Sequence, residues 1–371
     1  MWFIMGNWLF FWLKFMTISE VGLFDAIAFG IAMVVEIPSG AVADLLGKRK
    51  TLILASVLST LGAFVMAIGT TKWAMFYGNL AFIAGFSFLS GADEALAYDS
   101  MVEAKKEVHF DSVASKAGML AMFATVFATA FGGFLYGLNE RFPWYAIVIT
   151  NCITIVICFL FVEPRIDTEK FNLSIYFKQL ILGFKELLTP QLKKFFLLFA
   201  TLSGVFYMYD TGFIRPTIAT NFGFDGVWQS YAVSVLTVVA ALVVGALPHI
   251  RKRVSDRVGL LTLLMILGVS FFLATFHVSM MTGFFVLTAI SIAGNLTTPW
   301  ISIVVNKRID SKYRSTTLST LAFFTKLPYV VVAVVAGSLA ESGNLGAFNL
   351  SVALSIGVVF LFSSLWLFKK E

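Results

Sequence analysis

Charge is sparse in this sequence: Asp, Glu, Lys and Arg make up 13% of its 371 residues, while 59% are hydrophobic. A soluble domain carries roughly a quarter charged residues to keep its surface wet, so an ordinary soluble protein is excluded. Cysteine is scarcer still, at two residues. Cys152 and Cys158 lie on one apolar stretch, without metal-site spacing or a disulfide framework, and both read as core thiols. No GxxxxGK[ST] phosphate loop occurs, nor HExxH, nor a nucleophile elbow. Covalent chemistry is therefore not expected, and the chain reads as no enzyme, with no cofactor and no metal. The excess of Lys and Arg (27) over Asp and Glu (21) gives a formal charge of +6. It is spread over six separate segments and makes no single patch, which excludes a nucleic-acid footprint.

What fills the sequence instead is long apolar runs. A hydrocarbon core of ~30 Å needs about 20 residues of helix, and runs of that order recur between short polar breaks. Approximate spans are 2–15, 20–44, 50–70, 73–99, 115–138, 143–163, 193–216, 228–249, 257–277, 280–304, 315–338 and 345–368. The first is short. A start site placed too late, or truncation, would account for it, whereas a cleaved signal peptide lacks both a basic leading region and a small-residue cleavage site.

Lysine and arginine resist translocation and collect on the cytoplasmic side. One set of loops holds 22 of the 27, from Lys48, Arg49 and Lys50 through Lys105, Arg165, Arg251 and Lys307 to Lys369 and Lys370. Lys14, Lys72 and Arg141 fall in the opposite loops, and Arg215 and Lys326 inside spans. The alternation predicts a multi-pass protein of the cell (inner) membrane, with both termini cytoplasmic. The long polar interval 165–192 separates a bundle at 1–164 from a second at 193–371. Apolar positions Ile175, Leu180, Ile181, Phe184, Leu187 and Leu188 recur there at helical spacing, as in an amphipathic helix lying on the membrane face.

The halves look like degenerate copies. Gly40 to Gly62 and Gly245 to Gly268 both run from a Gly-Ala pair through a basic turn into an apolar span. Two six-helix bundles related by a pseudo-two-fold would place a substrate site at the midplane between them.

Gly40-x-x-x-Asp44-x-x-Gly47-Lys48-Arg49-Lys50 resembles the signature of the loop between spans 2 and 3 in the major facilitator superfamily. Glu36-Ile37-Pro38-Ser39 before it, and SGADEALAYDS (90–100) after it, resemble a prokaryotic subgroup. The likeness covers the whole chain apart from its short start. It implies an all-α polytopic fold of twelve transmembrane helices in two pseudo-symmetric six-helix bundles. It also implies a conformational latch made by Gly40, Asp44, Gly47, Lys48, Arg49 and Lys50, which stabilises the outward-facing state and breaks on inward opening. Read without the family, the glycines allow close backbone approach, Asp44 caps a helix or binds a basic neighbour, and the cations anchor the turn among headgroups or simply set topology. Two places depart from the family. Asn79 stands early in span 4 where an arginine is common, and Ala128 to Gly133 keeps only the second pair of the antiporter Gly-Pro/Gly-Gly pattern.

Ionisable groups inside a membrane cost several kcal/mol unless they face a cavity or a partner, so each is a functional candidate. They are Asp25 and Glu36 on span 2, Asp93 and Glu94 on span 4, Asp210 and Arg215 on span 7, and Lys326 on span 11. Twelve helical residues beyond Arg314 put Lys326 about 18 Å deep. It either faces an anionic substrate or pairs with an acid across the bundle. Glu36 is either a proton carrier or a helix-packing acid near the polar end of its span. Asp93 and Glu94 point about 100° apart, so one reads as structural and the other as a proton or cation site. Five residues separate Asp210 from Arg215, a poor spacing for an intrahelical pair.

The sequence thus predicts a secondary active transporter that works by alternating access, is coupled to protons, and favours efflux of drug-like or metabolite compounds. The alternatives are uptake or facilitated diffusion of an organic anion, and a transport-inactive sensor or scaffold. Its partners would be a small-molecule substrate, protons and membrane lipid, and the chain would act as a monomer.

Overall fold

A computed structural model describes residues 2–89, 92–164, 173–308 and 311–368, with the side chains at 37–46, 111, 173, 175–176, 179–180, 311–316 and 319 outside the described set. Among the described residues there is no strand. The helices, in chain order, are α1 (Trp8–Trp12), α2 (Ile18–Leu46), α3 (Lys48–Ile68), α4 (Lys72–Leu89), α5 (Ala92–Glu103), α6 (Phe110–Leu138), α7 (Phe142–Leu160), α8 (Leu173–Leu187), α9 (Lys193–Thr211), α10 (Ile214–Asn221), α11 (Gly226–Gly245), α12 (Leu247–Arg253), α13 (Asp256–Leu273), α14 (Met280–Asn306), α15 (Ser311–Glu341) and α16 (Leu345–Phe368). Ten of the described helical runs are long and apolar enough to cross a membrane, or eleven if α9 and α10 form one broken span. Two of the expected spans look different from their sequence outline. The first is a turn followed by the five-residue α1, and the seventh breaks into two helices bent by 71°.

Local chemistry sets many of the ends. Thr17 and Glu20 make a reciprocal capping box at the start of α2: the Thr17 N–H donates to Glu20 Oε2 at 3.0 Å and the Glu20 N–H to Thr17 Oγ1 at 3.4 Å. Ser255 and Ser279 cap α13 and α14 by accepting from the Val258 and Thr282 amides. α3 has no such residue. Its cap position is Gly47 at φ +94°, a conformation that favours glycine, and its first amides turn to a distant acid. The Lys48 N–H donates to Glu163 Oε1 at 2.6 Å and the Arg49 N–H to Glu163 Oε2 at 2.8 Å. A carboxylate at a helix N-terminus is also favoured by the helix dipole.

The chain forms two compact units. The first holds Met1–Met16, Ile27–Tyr176 and Gly226–Ser234, and the second holds Thr17–Ala26, Phe177–Asp225 and Val235–Glu371. In the first unit α3 packs on α4 and α7. A Cβ at Gly62 would lie 2.5 Å from the Phe82 backbone nitrogen, so the α3–α4 contact depends on glycine there. Short as it is, α1 is firmly seated: Leu9, Phe11 and Trp12 are buried. Asn7, also buried, donates through Nδ2 to Phe3 O at 3.1 Å, Gly132 O at 3.3 Å and Ser230 Oγ at 3.3 Å. Cys158 is buried but Cys152 is exposed on α7, against the expectation of two core thiols. Six residues are 600° of helix, which leaves the two on faces about 120° apart.

In the second unit α13 packs on α14 and α16, as α3 packs on α4 and α7 in the first. One bond recurs as well. Arg49, in the first turn of α3, donates to Cys158 O and Phe159 O at the end of α7. Arg257, in the first turn of α13, donates to Leu367 O at the end of α16. In each unit an arginine in the first turn of one helix thus holds carbonyls in the last turn of another, as internal repetition implies.

The glycine contact gives a measurable expectation. Gly62→Ala should destabilise the protein by about 1–3 kcal/mol through overpacking. Gly118→Ala, on α6 with nothing within 4 Å of the new methyl, should be neutral or gain up to about 1 kcal/mol from helix propensity. Denaturant unfolding in detergent checks both.

Candidate functional site

The break between α9 and α10 organises the polar groups of the second unit. α9 stops at Gly212, and α10 restarts after Phe213 with Pro216 in its first turn, where a missing N–H has no intrahelical acceptor to lose. The freed Phe213 N–H donates to the Tyr329 hydroxyl of α15 at 3.3 Å. That hydroxyl in turn donates to Asp25 Oδ2 on α2, and the Phe213 amide also reaches the Asp25 carboxylate. Asp25 is 4% exposed and Tyr329 1%. Any side chain at position 212 would run into the Tyr329 phenol and come within 2.8 Å of Asp25 Oδ2, so the break can receive these two groups only at glycine.

A seam holds α2 and α15 in register for this contact. Glu341 Oε2 accepts from Thr17 Oγ1 at 2.8 Å and from the Ser19 N–H at 3.0 Å. One turn before Asp25, Gly22 lies against Ala333 and Gly337. Small residues let the backbones meet and bring the Asp25 and Tyr329 side chains within bonding distance.

Asp210 and Arg215 do pair, with Arg215 Nη1 2.6 Å from Asp210 Oδ1. The five-residue spacing that disfavours a pair in a continuous helix is bridged because the helix turns between them. Arg215 is buried and Asp210 is half-buried. Tyr207 meets the Tyr329 ring edge-on with centroids 6.0 Å apart. Lys326, half-buried, precedes Tyr329 by three residues and so lies on the same side of α15. Asp25, Asp210, Arg215 and Lys326 therefore share one unit.

Glu36, Asp93 and Glu94 belong to the other unit and are exposed. Asp93 and Glu94 sit in the first turn of α5, where Asp93 Oδ1 accepts the Glu94 N–H at 2.8 Å. Acids at that position complement the helix dipole, a structural use of both.

Of the latch candidates, Gly40 and Asp44 fall among the side chains outside the described residues. The others are engaged within the first unit. Gly47 provides the left-handed turn, Lys48 forms a buried ion pair with Asp99 of α5, Arg49 binds the end of α7, and Lys50 is exposed. The second unit has its own cluster around Asp256. Arg251 donates to Asp256 Oδ1 through Nε at 3.1 Å and Nη2 at 2.6 Å, Trp300 Nε1 donates to the same oxygen at 3.0 Å, and Arg308 lies 3.9 Å from Oδ2.

Sequence reasoning passed over Tyr329, Glu163, Glu341 and Asp256. Nothing local signals the first three, whose partners are each more than 100 residues away. Asp256 carries a readable sign: it is the one acid in the basic run Arg251 to Arg257.

Comparison with known proteins places this geometry. The sequence profile of the Major Facilitator Superfamily matches residues 1–333. A search of curated proteins returns no significant match. Among solved structures, the nucleoside transporter NupG superposes with a TM-score of 0.79 at 15% identity, covering 100% of this chain and 95% of that one. A bacterial homologue of the human lysosomal transporter Spinster, inward-facing and unoccupied, gives 0.72 at 13% identity, covering 98% and 93%. A POT family transporter in complex with 5-aminolevulinic acid gives 0.68 at 12% identity, covering 93% and 86%. At such identities the likeness is one of fold.

The buried ion pair generates a direct test. Lys48→Met leaves the Asp99 carboxylate buried without its partner and should cost roughly 3 kcal/mol. Lys48→Met combined with Asp99→Leu should recover most of that loss. A double-mutant cycle measured by unfolding in detergent reads the coupling.

Proposed function

The chain belongs to the major facilitator superfamily, and from that premise we propose that it is a proton-coupled secondary active transporter of a small organic molecule. It is a multi-pass membrane protein. On this reading the halves 1–164 and 193–371, joined by 165–192, alternate between arrangements that expose the substrate to one side and then the other. The charge distribution favours the cell membrane with both termini in the cytoplasm, and a monomer suffices.

The observation that carries the proposal is the buried Asp25 carboxylate at the α9/α10 break. α2 starts in one compact unit and continues into the other, and alternating access on this reading loosens its attachment at Asp25. A charged carboxylate accepts hydrogen bonds about twice as strongly as a neutral group. Proton uptake by Asp25 therefore weakens its bonds to Tyr329 and to the Phe213 amide together, which couples protonation to release of the α2–α15 seam. Arg215 is already balanced by Asp210, which favours Asp25 as the coupling group over Arg215 as a reader of substrate charge. Glu36, Asp93 and Glu94 have secondary claims as acids of the proton path. Gly40, Asp44, Gly47, Lys48, Arg49 and Lys50 keep their role as a conformational latch, with the Lys48–Asp99 pair and the Glu163 cap as its foundation. Efflux of a drug-like compound or metabolite is the favoured direction.

Lys326 supports a second reading, uptake or facilitated diffusion of an organic anion. It is a half-buried cation on the same side of α15 as Tyr329, suited to an anionic substrate group.

Proteoliposomes loaded with a pH-sensitive dye, and presented with nucleosides, dipeptides and drug-like cations in turn, test the main reading. Substrate addition should move protons in the wild type. Asp25→Asn fixes the neutral form and should reduce gradient-driven flux to background while leaving substrate exchange intact. Flux that ignores the pH gradient would overturn proton coupling, and no flux from folded protein for any compound class would favour a scaffold.

Lys326→Ala should abolish flux in the same vesicles without altering membrane insertion. Selective loss for anionic substrates alone would favour the second reading.

A further inference from the structure

A cleft of about 550 Å³ opens where α13 begins and α14 and α16 end. Its walls carry Arg251, Arg257, Lys307 and Arg308 against a single carboxylate among the described residues, Asp256, and Phe368 closes one side. We propose that this cleft binds an anionic phospholipid by its phosphate.

The charge excess is the first argument. Asp256 is already committed to Arg251 and Trp300, with Arg308 close by. Arginine offers five N–H donors, and the bonds inside the cluster use only some of them. Arg251 spends Nε and Nη2 on Asp256, Arg308 donates through Nη1 to Val304 O, and Arg257 through Nη1 to Leu367 O. The remaining donors, with the exposed Lys307 ammonium, suit a group that presents several acceptor oxygens and a negative charge. Guanidinium forks match phosphate oxygens two at a time.

Preorganisation is the second. Asp256 fixes Arg251, and the Phe195 ring lies 4.9 Å from the Arg308 guanidinium and supports its face. The arginines are therefore held near one another before any ligand arrives, with their mutual repulsion only partly offset by the single Asp256 carboxylate.

The third argument distinguishes a lipid from a soluble phosphate. Phe368 is exposed, and with Leu361 and Leu365 it forms an exposed apolar stripe along α16 at positions separated by four and three residues. The stripe starts at the cleft and runs along the membrane-crossing helix, where an acyl chain would lie once the phosphate is held. Trp366, two residues before the cleft residue Phe368, is also exposed, and tryptophan is enriched at membrane interfaces. Basic pockets at the ends of transmembrane helices are a general solution for anionic headgroups.

The test uses the whole protein, delipidated in neutral detergent, with native mass spectrometry and thermal unfolding as readouts. Phosphatidylglycerol should form a retained one-to-one adduct and raise the unfolding temperature, whereas phosphatidylcholine should do neither. Arg257→Gln with Lys307→Gln should weaken the adduct about tenfold, the size expected for one or two lost charge-assisted contacts. Lys307→Gln alone, which removes an exposed side chain, keeps the test open if the double variant folds poorly, and it too should bind more weakly. Equal binding of the two lipids, or unchanged phosphatidylglycerol binding by Lys307→Gln, would overturn the proposal. Displacement of the lipid by inorganic phosphate at millimolar concentration would also overturn it and assign the cleft to a soluble anion.

Discussion

The second unit depends on one exchange of hydrogen bonds. A helix that breaks where it is buried in protein, as at Phe213, frees backbone groups that water cannot reach, and each one left unsatisfied costs about 1–3 kcal/mol. At the α9/α10 break the Phe213 amide finds the Tyr329 hydroxyl, which passes the interaction on to Asp25. Glycine at 212 is needed because the phenol occupies the space of a side chain. The Glu341 cap, the close packing of Gly22 on Ala333 and Gly337, and the path of α2 all serve to deliver Asp25 to that point. A carboxylate bound in this way has a structural part to play, holding α2, α15 and the α9/α10 break together.

The remaining buried charges follow the same economy of pairing. Lys48 meets Asp99, Arg215 meets Asp210, and Asp256 gathers Arg251, Trp300 and Arg308. Distant acids also cap helix starts: Glu163 serves α3, which has no local cap, and Glu341 adds to the local capping box of α2. In both units an arginine at the start of an inner helix closes the carbonyl end of the last helix. The internal repeat is thus visible in how backbone groups are satisfied even where side-chain identity has drifted.

Much of the architecture was legible because its signals are local. Runs of apolar residues, the amphipathic stretch before Leu187 and the glycine turn at Gly47 each need only a few neighbouring residues to be read, whereas the equally local Thr17–Glu20 capping box was passed over. The candidate site was legible in part. Asp25, Asp210, Arg215 and Lys326 stand out as charges in apolar surroundings, but the five-residue spacing of Asp210 and Arg215 pointed away from their pairing, since helical geometry was assumed to continue through Gly212. Cys152 was misplaced for a related reason: hydropathy alone does not separate the face of α7 that packs on protein from the face that meets lipid.

By itself, the sequence determined that this chain is helical and membrane-embedded, where its long apolar segments run, and which ionisable residues lie within them, because length, hydropathy and charge act over short distances along the chain. Only the tertiary structure decided which partner each charge has. Tyr329 is 304 residues from Asp25, and a tyrosine one place after a proline on an apolar span carries no mark of the carboxylate it will meet. That choice depends on how closely α2 and α15 approach and on the angle at which α9 gives way to α10, and both are set by packing across the whole unit.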